Sequence, residues 1–599
     1  ALGIMRSLAA LLAYVAVATA GCSWWDGMIV RSQSPDEPAA EEPTTRLVGD
    51  LAVPFGLCMY PIEVEGVGLV TGLNGTGSDP TPSPQRQVLL AGMQARGVQN
   101  PNGVLASPDT AMVLVRGVLR AGIQQGDHFD VEVRVPSRSE TTSLRGGWLL
   151  PLELKEFAVL SDNRIHTGHP WGNAAGPIMV DPSAEGKEDG VMRTRGRILG
   201  GGVAKRSRPL ALTLKPECQS VINSARVETA INKRFHTAHK GVKVPTAKAK
   251  TDRCAELIVH PRYRDNVQRY MRVVRSIALR ESEAERKGRL TLLEKQLLDP
   301  ISSSRAALQL EAIGPQAVDV LCKGIASQDP EVSFHSAEAL AYLDGSEAAE
   351  PLARAARQQP AFRVFALSAL STMDDLAAAE QLRELLNGSS AETRYGAFRA
   401  LWAMNGSAAT VPGEIVGGQF SYHPLDTAGP PMIHVTRSRR PEIVLFGKNQ
   451  RLQVPFVVEA GNQIMVVGTK SGEVAVSRFA TGEMDQKRIV ANDVDAVIRA
   501  IVELGGTYPD VVQALQAAKQ KGALASRFEV DALPEAGRTF DRLAEDESGP
   551  SELGGQQAQS GRSSPSGGAG REGRETLDSA QRRHPVRAFF GKMVGREKT

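Results

Sequence analysis

The sequence predicts an α+β multidomain chain in which glycine-rich mixed α/β regions are interrupted by an all-α solenoid and followed by a β-rich segment. Three observations carry this prediction. Short apolar runs punctuated by glycine fill residues 47–285. Alanine and leucine then recur with a period near 30 residues over 290–406, the mark of stacked helical units. Short strand-like runs parted by turn pairs occupy 412–491, and helical spacing returns over 492–535.

In the first region, Phe129, Val131, Val133 and Val135 alternate with Asp130, Glu132 and Arg134, which marks a half-buried strand. Gly66–Val70, Ala111–Val115 and Leu210–Leu214 read as further strands. Helices are expected over Gln85–Arg96, with Val88, Leu89, Met93 and Gln94 near one side, and over Cys218–Phe235.

In the second region, Pro300, Pro330 and Pro360 lie 30 residues apart and Ala391 follows after 31. Proline suits the first turn of a helix because its missing N–H has no partner there anyway. Gln309-Leu310, Ala339-Leu340, Ala369-Leu370 and Ala400-Leu401 recur nine and ten residues beyond each marker. Second helices are expected at Ala348–Gln358 and Leu376–Leu386. Two helices per unit resemble short HEAT repeats, whose units bury their apolar faces only by stacking.

Residues 412–491 carry the expected strands Glu442–Phe446, Arg451–Val458, Gln463–Val467 and Glu473–Ser477, with turns at Gly461-Asn462 and Ser471-Gly472. Val494, Val497, Ile498, Ile501 and Leu504 then share a helical face. Pro509 opens a second helix and Gly522 ends it, glycine being the residue that adopts the left-handed cap most readily.

The N-terminal residues 1–22 read as an export signal. Arg6 precedes the apolar run Leu8–Ala20 of 13 residues, too short for the roughly 20 residues a membrane-spanning helix needs. Thr19-Ala20-Gly21-Cys22 has the form of a lipobox with Thr19 where Leu or Val is usual. Lipidation at Cys22, which would attach the chain to a membrane face, and plain cleavage nearby both remain open. Residues 32–46 are rich in Pro, Ser and Glu, and residues about 541–583 carry Gly, Ser, Gln and charge without apolar period, so 23–46 reads as a disordered tether and 541–599 as a disordered tail.

Composition narrows the function. Lys and Arg number 70 against 67 Asp and Glu, which lacks the basic excess of a nucleic-acid partner. The five cysteines, Cys22, Cys58, Cys218, Cys254 and Cys322, form no C-x-x-C pair, so no zinc ribbon or thioredoxin motif is present. A Cys218–Cys254 bridge suits an oxidising compartment; isolated buried thiols are the commoner arrangement.

Gly66-Val67-Gly68-Leu69-Val70-Thr71-Gly72-Leu73-Asn74-Gly75-Thr76-Gly77-Ser78-Asp79 resembles the opening motif of the flagellar P-ring protein family. Ala111–Val115, Gly126–Val133, Ser143–Leu150, Gly196–Ile198 and Val227–Phe235 follow the family's order, and Leu504–Lys519 with Gly522–Leu524 resembles its C-terminal end. The resemblance covers about 47–277 and 490–531, and the repeats are a departure from it. It implies ring-forming domains: a non-catalytic, exported, periplasmic subunit without cofactor, many copies closing around the flagellar rod at the peptidoglycan and meeting the outer (L) ring. The turns at Gly66, Gly68, Gly72, Asn74, Gly75 and Gly77 are the candidate subunit contacts. An exported HEAT-repeat envelope scaffold unrelated to motility is the alternative.

Other chemistry fits less well. Gly66–Gly77 lacks the Gly-Lys-Ser/Thr ending of a phosphate-binding loop. His166 and His169 have no Glu between them, and the flanking Gly168 and Pro170 point to a loop. Asp127 and Asp130 read as salt-bridged or solvated rather than as a catalytic pair. The basic stretches Arg193–Arg208 and Lys233–Arg253 could touch an acidic rod surface or cell-wall polymer, but a solvated face is the commoner arrangement. The tail His584–Lys598 with Phe589-Phe590 could dock on a membrane face or partner, with a frayed tail as the equal alternative.

Overall fold

The computed structural model describes residues 45–540 apart from 160–164, 182–188, 240, 406–410 and 480–483. The expected export signal with Cys22, the tether and the tail lie outside the described residues.

Strand β1 (Ala52–Pro54) leads into a closed barrel of β2 (Ile62–Thr71), β3 (Ala111–Leu119), β4 (His128–Arg134), β5 (Trp148–Val159), β6 (Ile165–Pro177) and β7 (Arg195–Ala204), in the order β2-β3-β4-β7-β6-β5. Alternation along β4 puts Phe129, Val131 and Val133 inside, where they join Val64, Val70, Val115 and Leu154. Helix α1 (Pro84–Ala95) lies over the outer face of β2, with Met93 packed on Leu69 and Leu105. Val88, expected on its apolar side, is 62% exposed.

The chain next builds β8 (Leu210–Leu214), helix α2 (Val221–Arg234), the hairpin β9 (His236–His239) and β10 (Val242–Pro245), then β11 (Ala247–Ala249), β12 (Cys254–Leu257) and helix α3 (Val267–Arg275). The antiparallel sheet β1-β8-β12-β11 packs under α2 and α3 through Leu210, Leu212, Val227, Ile231 and Tyr270.

Eight helices follow among the described residues: α4 (Glu283–Leu297), α5 (Pro300–Ile313), α6 (Val318–Ile325), α7 (Pro330–Tyr342), α8 (Ala349–Gln358), α9 (Arg363–Leu370), α10 (Leu376–Leu385) and α11 (Ala391–Asn405). Helices α5, α7, α9 and α11 stack one on the next, with α6, α8 and α10 beside them. Pro300 and Pro330 open α5 and α7 behind the capping carboxylates of Asp299 and Asp329. The 30-residue period misplaces the third start: α9 begins at Arg363, after a turn at Pro360. Ala306, Ala337, Ala339, Ala366, Ala369 and Ala397 are fully buried, which allows close helix approach.

The β-rich segment forms two sheets. β13 (Glu414–Val416), β14 (Phe420–Leu425), β15 (Met432–Val435) and β16 (Glu442–Phe446) belong to one; β17 (Phe456–Ala460), β18 (Ile464–Gly468), β19 (Glu473–Arg478) and β20 (Gln486–Ala491) form an antiparallel meander. The expected strand Arg451–Val458 thus begins later, at Phe456, while the turns at Gly461 and Gly472 are present with positive φ. Helices α12 (Val494–Glu503) and α13 (Tyr508–Gln520) follow as expected, and Gly522 has φ +74°. The C-terminal part is not purely helical: β21 (Arg527–Val530) joins the first sheet in parallel with β15, giving the order β13-β14-β16-β15-β21. Four residues of alternation are too few to register as a strand in the sequence.

Candidate functional site

The glycines of the 66–77 motif act first within the chain. A Cβ at Gly66 would stand 2.5 Å from Leu152 Cδ1, and one at Gly68 would stand 2.8 Å from Leu152 Cδ2 and 2.9 Å from Leu149 Cδ1. These two positions face the barrel interior, and their missing side chains make room for leucines of β5. At Gly77 a Cβ would meet Thr110 O at 2.1 Å. These three glycines were expected at subunit contacts; the close backbone approach they permit is to their own barrel. Gly72, Asn74 and Gly75 differ: all have positive φ, and nothing lies within 4 Å of a Cβ at Gly75. That turn is therefore open, anchored by Gly75 N–H donating to Asp109 Oδ1 at 2.8 Å.

The barrel's outer wall carries an ordered row of charge. Lys155, Glu65, Arg116, Glu132 and Arg197 are successive cross-strand partners on β5, β2, β3, β4 and β7, so the sign alternates across five strands. Opposite charges at facing positions each add a few tenths of a kcal/mol to about 1 kcal/mol. Arg197 reaches Glu132 at 3.3 Å. The next row runs Val67, Leu114, Arg134 and Arg195, ending in two arginines face to face. Both rows border an open groove of about 1660 Å³ between this wall and α1. Sequence patterning showed the strands but not this row, because registers between distant strands are tertiary facts.

Two buried acid–tyrosine–arginine clusters join the lobes. On the first seam Tyr263 Oη donates to Glu311 Oε1 at 2.6 Å, and Arg269 spans Glu311 and Glu338 of α5 and α7 at 2.5 Å each. Burial works against the Arg269 charge, but the two carboxylates more than offset it and hold the guanidinium above its ordinary range. On the second seam Tyr395 Oη donates to Glu442 Oε1 at 2.6 Å, while Arg399 pairs with Glu442 Oε2 at 2.9 Å. His434 stacks on Tyr395 with ring centroids 3.7 Å apart, and its Nε2 accepts the Ala532 N–H. One hydrophobic cluster runs from Val48 through the helices to Phe446. The helical block is thus continuous with its neighbours.

The C-terminal part returns to the barrel. Arg439 N–H donates to Asp130 Oδ2 at 2.5 Å, Arg437 pairs with Asp181 at 2.7 Å, and Asn462 Nδ2 donates to Arg145 O at 3.2 Å. Met179 and Leu199 of the barrel side enter the core that holds α12 and α13.

The remaining sequence candidates separate. Asp127 pairs with Arg264 at 2.9 Å and Arg120 at 3.5 Å. Burial acts to raise its carboxyl, and the Gln124 N–H with the two arginines outweighs that and holds it below the usual range. Asp130 instead accepts from Gly200 N and Arg439 N. His166 and His169 lie on strand β6 and not on a loop, because β6 runs on to pair with the far end of β5. Cys218 and Cys254 are both free thiols, as are Cys58 and Cys322; the bridge is absent. Among the described residues no group of three or more His, Cys, Asp or Glu is placed to hold a metal, and no helix is long and apolar enough to cross a membrane.

Residues 59–287 match the family profile described as flagellar P-ring protein. The chain is 32% identical over 185 residues to the flagellar P-ring protein of Methylobacillus flagellatus, covering 29% of this chain and 47% of that protein. It is 30% identical over 217 residues to flagellar P-ring protein 1 of Bradyrhizobium diazoefficiens, covering 35% and 54%. The flagellar P-ring protein of Campylobacter lari is 30% identical over 170 residues, covering 28% and 46%. The chain spans about half the length of these curated relatives. The match contains the barrel and strands β8, β11 and β12 of the sheet under α2 and α3, and it stops within α4, the first helix of the stacked block.

Proposed function

We propose, because residues 59–287 match the flagellar P-ring protein profile, that this chain is a non-catalytic structural subunit of the flagellar basal-body P ring, a bushing around the rod in the periplasm. The observation that carries the reading is the closed barrel, with its glycine-lined interior, lying within the matched residues. Many copies would close head to tail, a heterologous contact that repeats around an axis. The open turn at Gly72, Asn74 and Gly75 is offered to a neighbouring copy, since its close partners are few. The rod, the L ring and peptidoglycan are the partners that this location supplies, and lipid attachment at Cys22 would add a membrane face.

The α4–α11 block acts as a HEAT-like solenoid fixed at both ends, which makes it a rigid brace within each subunit. The stacking of α5, α7, α9 and α11 supports that reading. Basal bodies purified from the native host test it. The expected result is this chain in stoichiometric excess over rod proteins, as antibody label on a ring outside the inner membrane. Recovery of the chain from the envelope fraction with no label on basal bodies overturns the ring and favours the envelope scaffold.

A further inference from the structure

Three arginines meet at the outside of the first seam. Leu47, Gly49, Arg272, Arg275, Ser276 and Arg305 border a shallow cavity of about 250 Å³. Arg272 and Arg275 stand in the last turn of α3 and Arg305 on α5, and all three are exposed. Cations in a last turn complement the helix dipole, which accounts for the first two. It does not account for Arg305, which comes from a different helix. Among the described residues none of the three guanidiniums has an ion-pair partner. The acid at the cavity, Asp50, accepts the Leu47 N–H at 2.7 Å.

The chain enters the described structure at this place. Leu279 N–H donates to Arg46 O at 3.0 Å, Val48 N–H donates to Ile277 O at 2.8 Å, and Leu47 bridges Ala278 between them. A Cβ at Gly49 would meet Arg275 O at 3.0 Å. Just upstream lies Asp36-Glu37-Pro38-Ala39-Ala40-Glu41-Glu42, with four acids and no base. Glu42 is five residues before Leu47, so it can reach a point about 17 Å away at roughly 3.4 Å per residue. The other three acids reach further.

We propose that the acidic stretch 36–42 of the chain docks on Arg272, Arg275 and Arg305 of the same molecule, strapping the ring-family lobe to the helical block from outside. Arg269 closes that seam from within, and the strap closes it at the surface. Four acids meet three arginines, and the arginines belong to both lobes, so one segment bridges them. This inference does not depend on ring formation.

A benzophenone side chain introduced at residue 43 of the full chain tests it. Irradiation should cross-link within one molecule to residues 272–309. The triple variant Arg272→Glu, Arg275→Glu and Arg305→Glu should lower the yield about tenfold, the product of roughly a factor of two from each of three exposed ion pairs. Combining it with Asp36→Lys, Glu37→Lys, Glu41→Lys and Glu42→Lys should restore the yield. If the triple variant fails to fold, the unaltered chain in 1 M salt replaces it: a Debye length of about 3 Å should suppress the cross-link. A yield indifferent to charge reversal and salt, a swap that does not rescue, or cross-links between copies overturns the proposal.

Discussion

Tyr263 donates its hydroxyl to Glu311 across 2.6 Å of buried space, and the two residues belong to different lobes. Glu311 is wholly buried, and Arg269 reaches the same carboxylate from the Tyr263 side. A carboxylate taken out of water is costly unless its lone pairs are filled and its charge is balanced. Here both conditions are met only when the helical block sits against α3. The position of the block is therefore specified by a cluster that no single lobe completes.

Removing one member should expose that dependence. Arg269→Ala leaves Glu311 and Glu338 buried without their cation, and a loss of about 3–5 kcal/mol is expected. The charge-free replacement Arg269→Met with Glu311→Gln and Glu338→Gln should be much milder, because no unpaired charge is left buried. Urea unfolding of both variants checks this; equal losses would show that the cluster fills space and little more.

Acid should loosen the second seam through His434. Burial lowers its pKa to about 3, against about 6.5 for a free imidazole. The unfolded chain then binds the extra proton between those values, so stability is full above pH 6.5 and falls as pH drops toward 3. The loss should reach a few kcal/mol by pH 4. His434→Asn should be less stable at pH 7 yet flatter in its pH dependence. Thermal unfolding at pH 7, 5.5 and 4 reads this out.

The glycines of the opening motif should not be equivalent. Gly68→Ala drives a methyl group into Leu149 and Leu152, and overpacking of this kind costs about 1–3 kcal/mol. Gly75→Ala meets open space and should cost only the positive-φ penalty of about 1 kcal/mol. Denaturant midpoints separate the two. If the turn is a subunit contact, a larger Gly75 substitution should impair ring assembly while leaving monomer stability near that of Gly75→Ala.

Deleting residues 290–406 should not leave a well-folded remainder. The period and the family resemblance together read as a removable insert. The structure places Glu311 and Glu338 under Arg269, and Tyr395 and Arg399 on Glu442. Loss of folded protein is the expected result on fractionation of the deletion strain. A soluble remainder with the native melting profile would show that the seams are dispensable.

The sequence by itself determined the periods. Alternation from Phe129 to Val133 is enough to make a strand whose buried face is inevitable, and Asp329-Pro330 is enough to start a helix. It also carried the motif that the family match contains, because local chemistry is written in neighbouring residues. Only the tertiary structure decided which strands face which. The alternating row from Lys155 to Arg197, the pairing of Glu311 with Arg269, the return of β21 to β15 and the free state of Cys218 and Cys254 all depend on residues far apart in the chain. Their registers follow from how buried surfaces close on one another, and no local period records that.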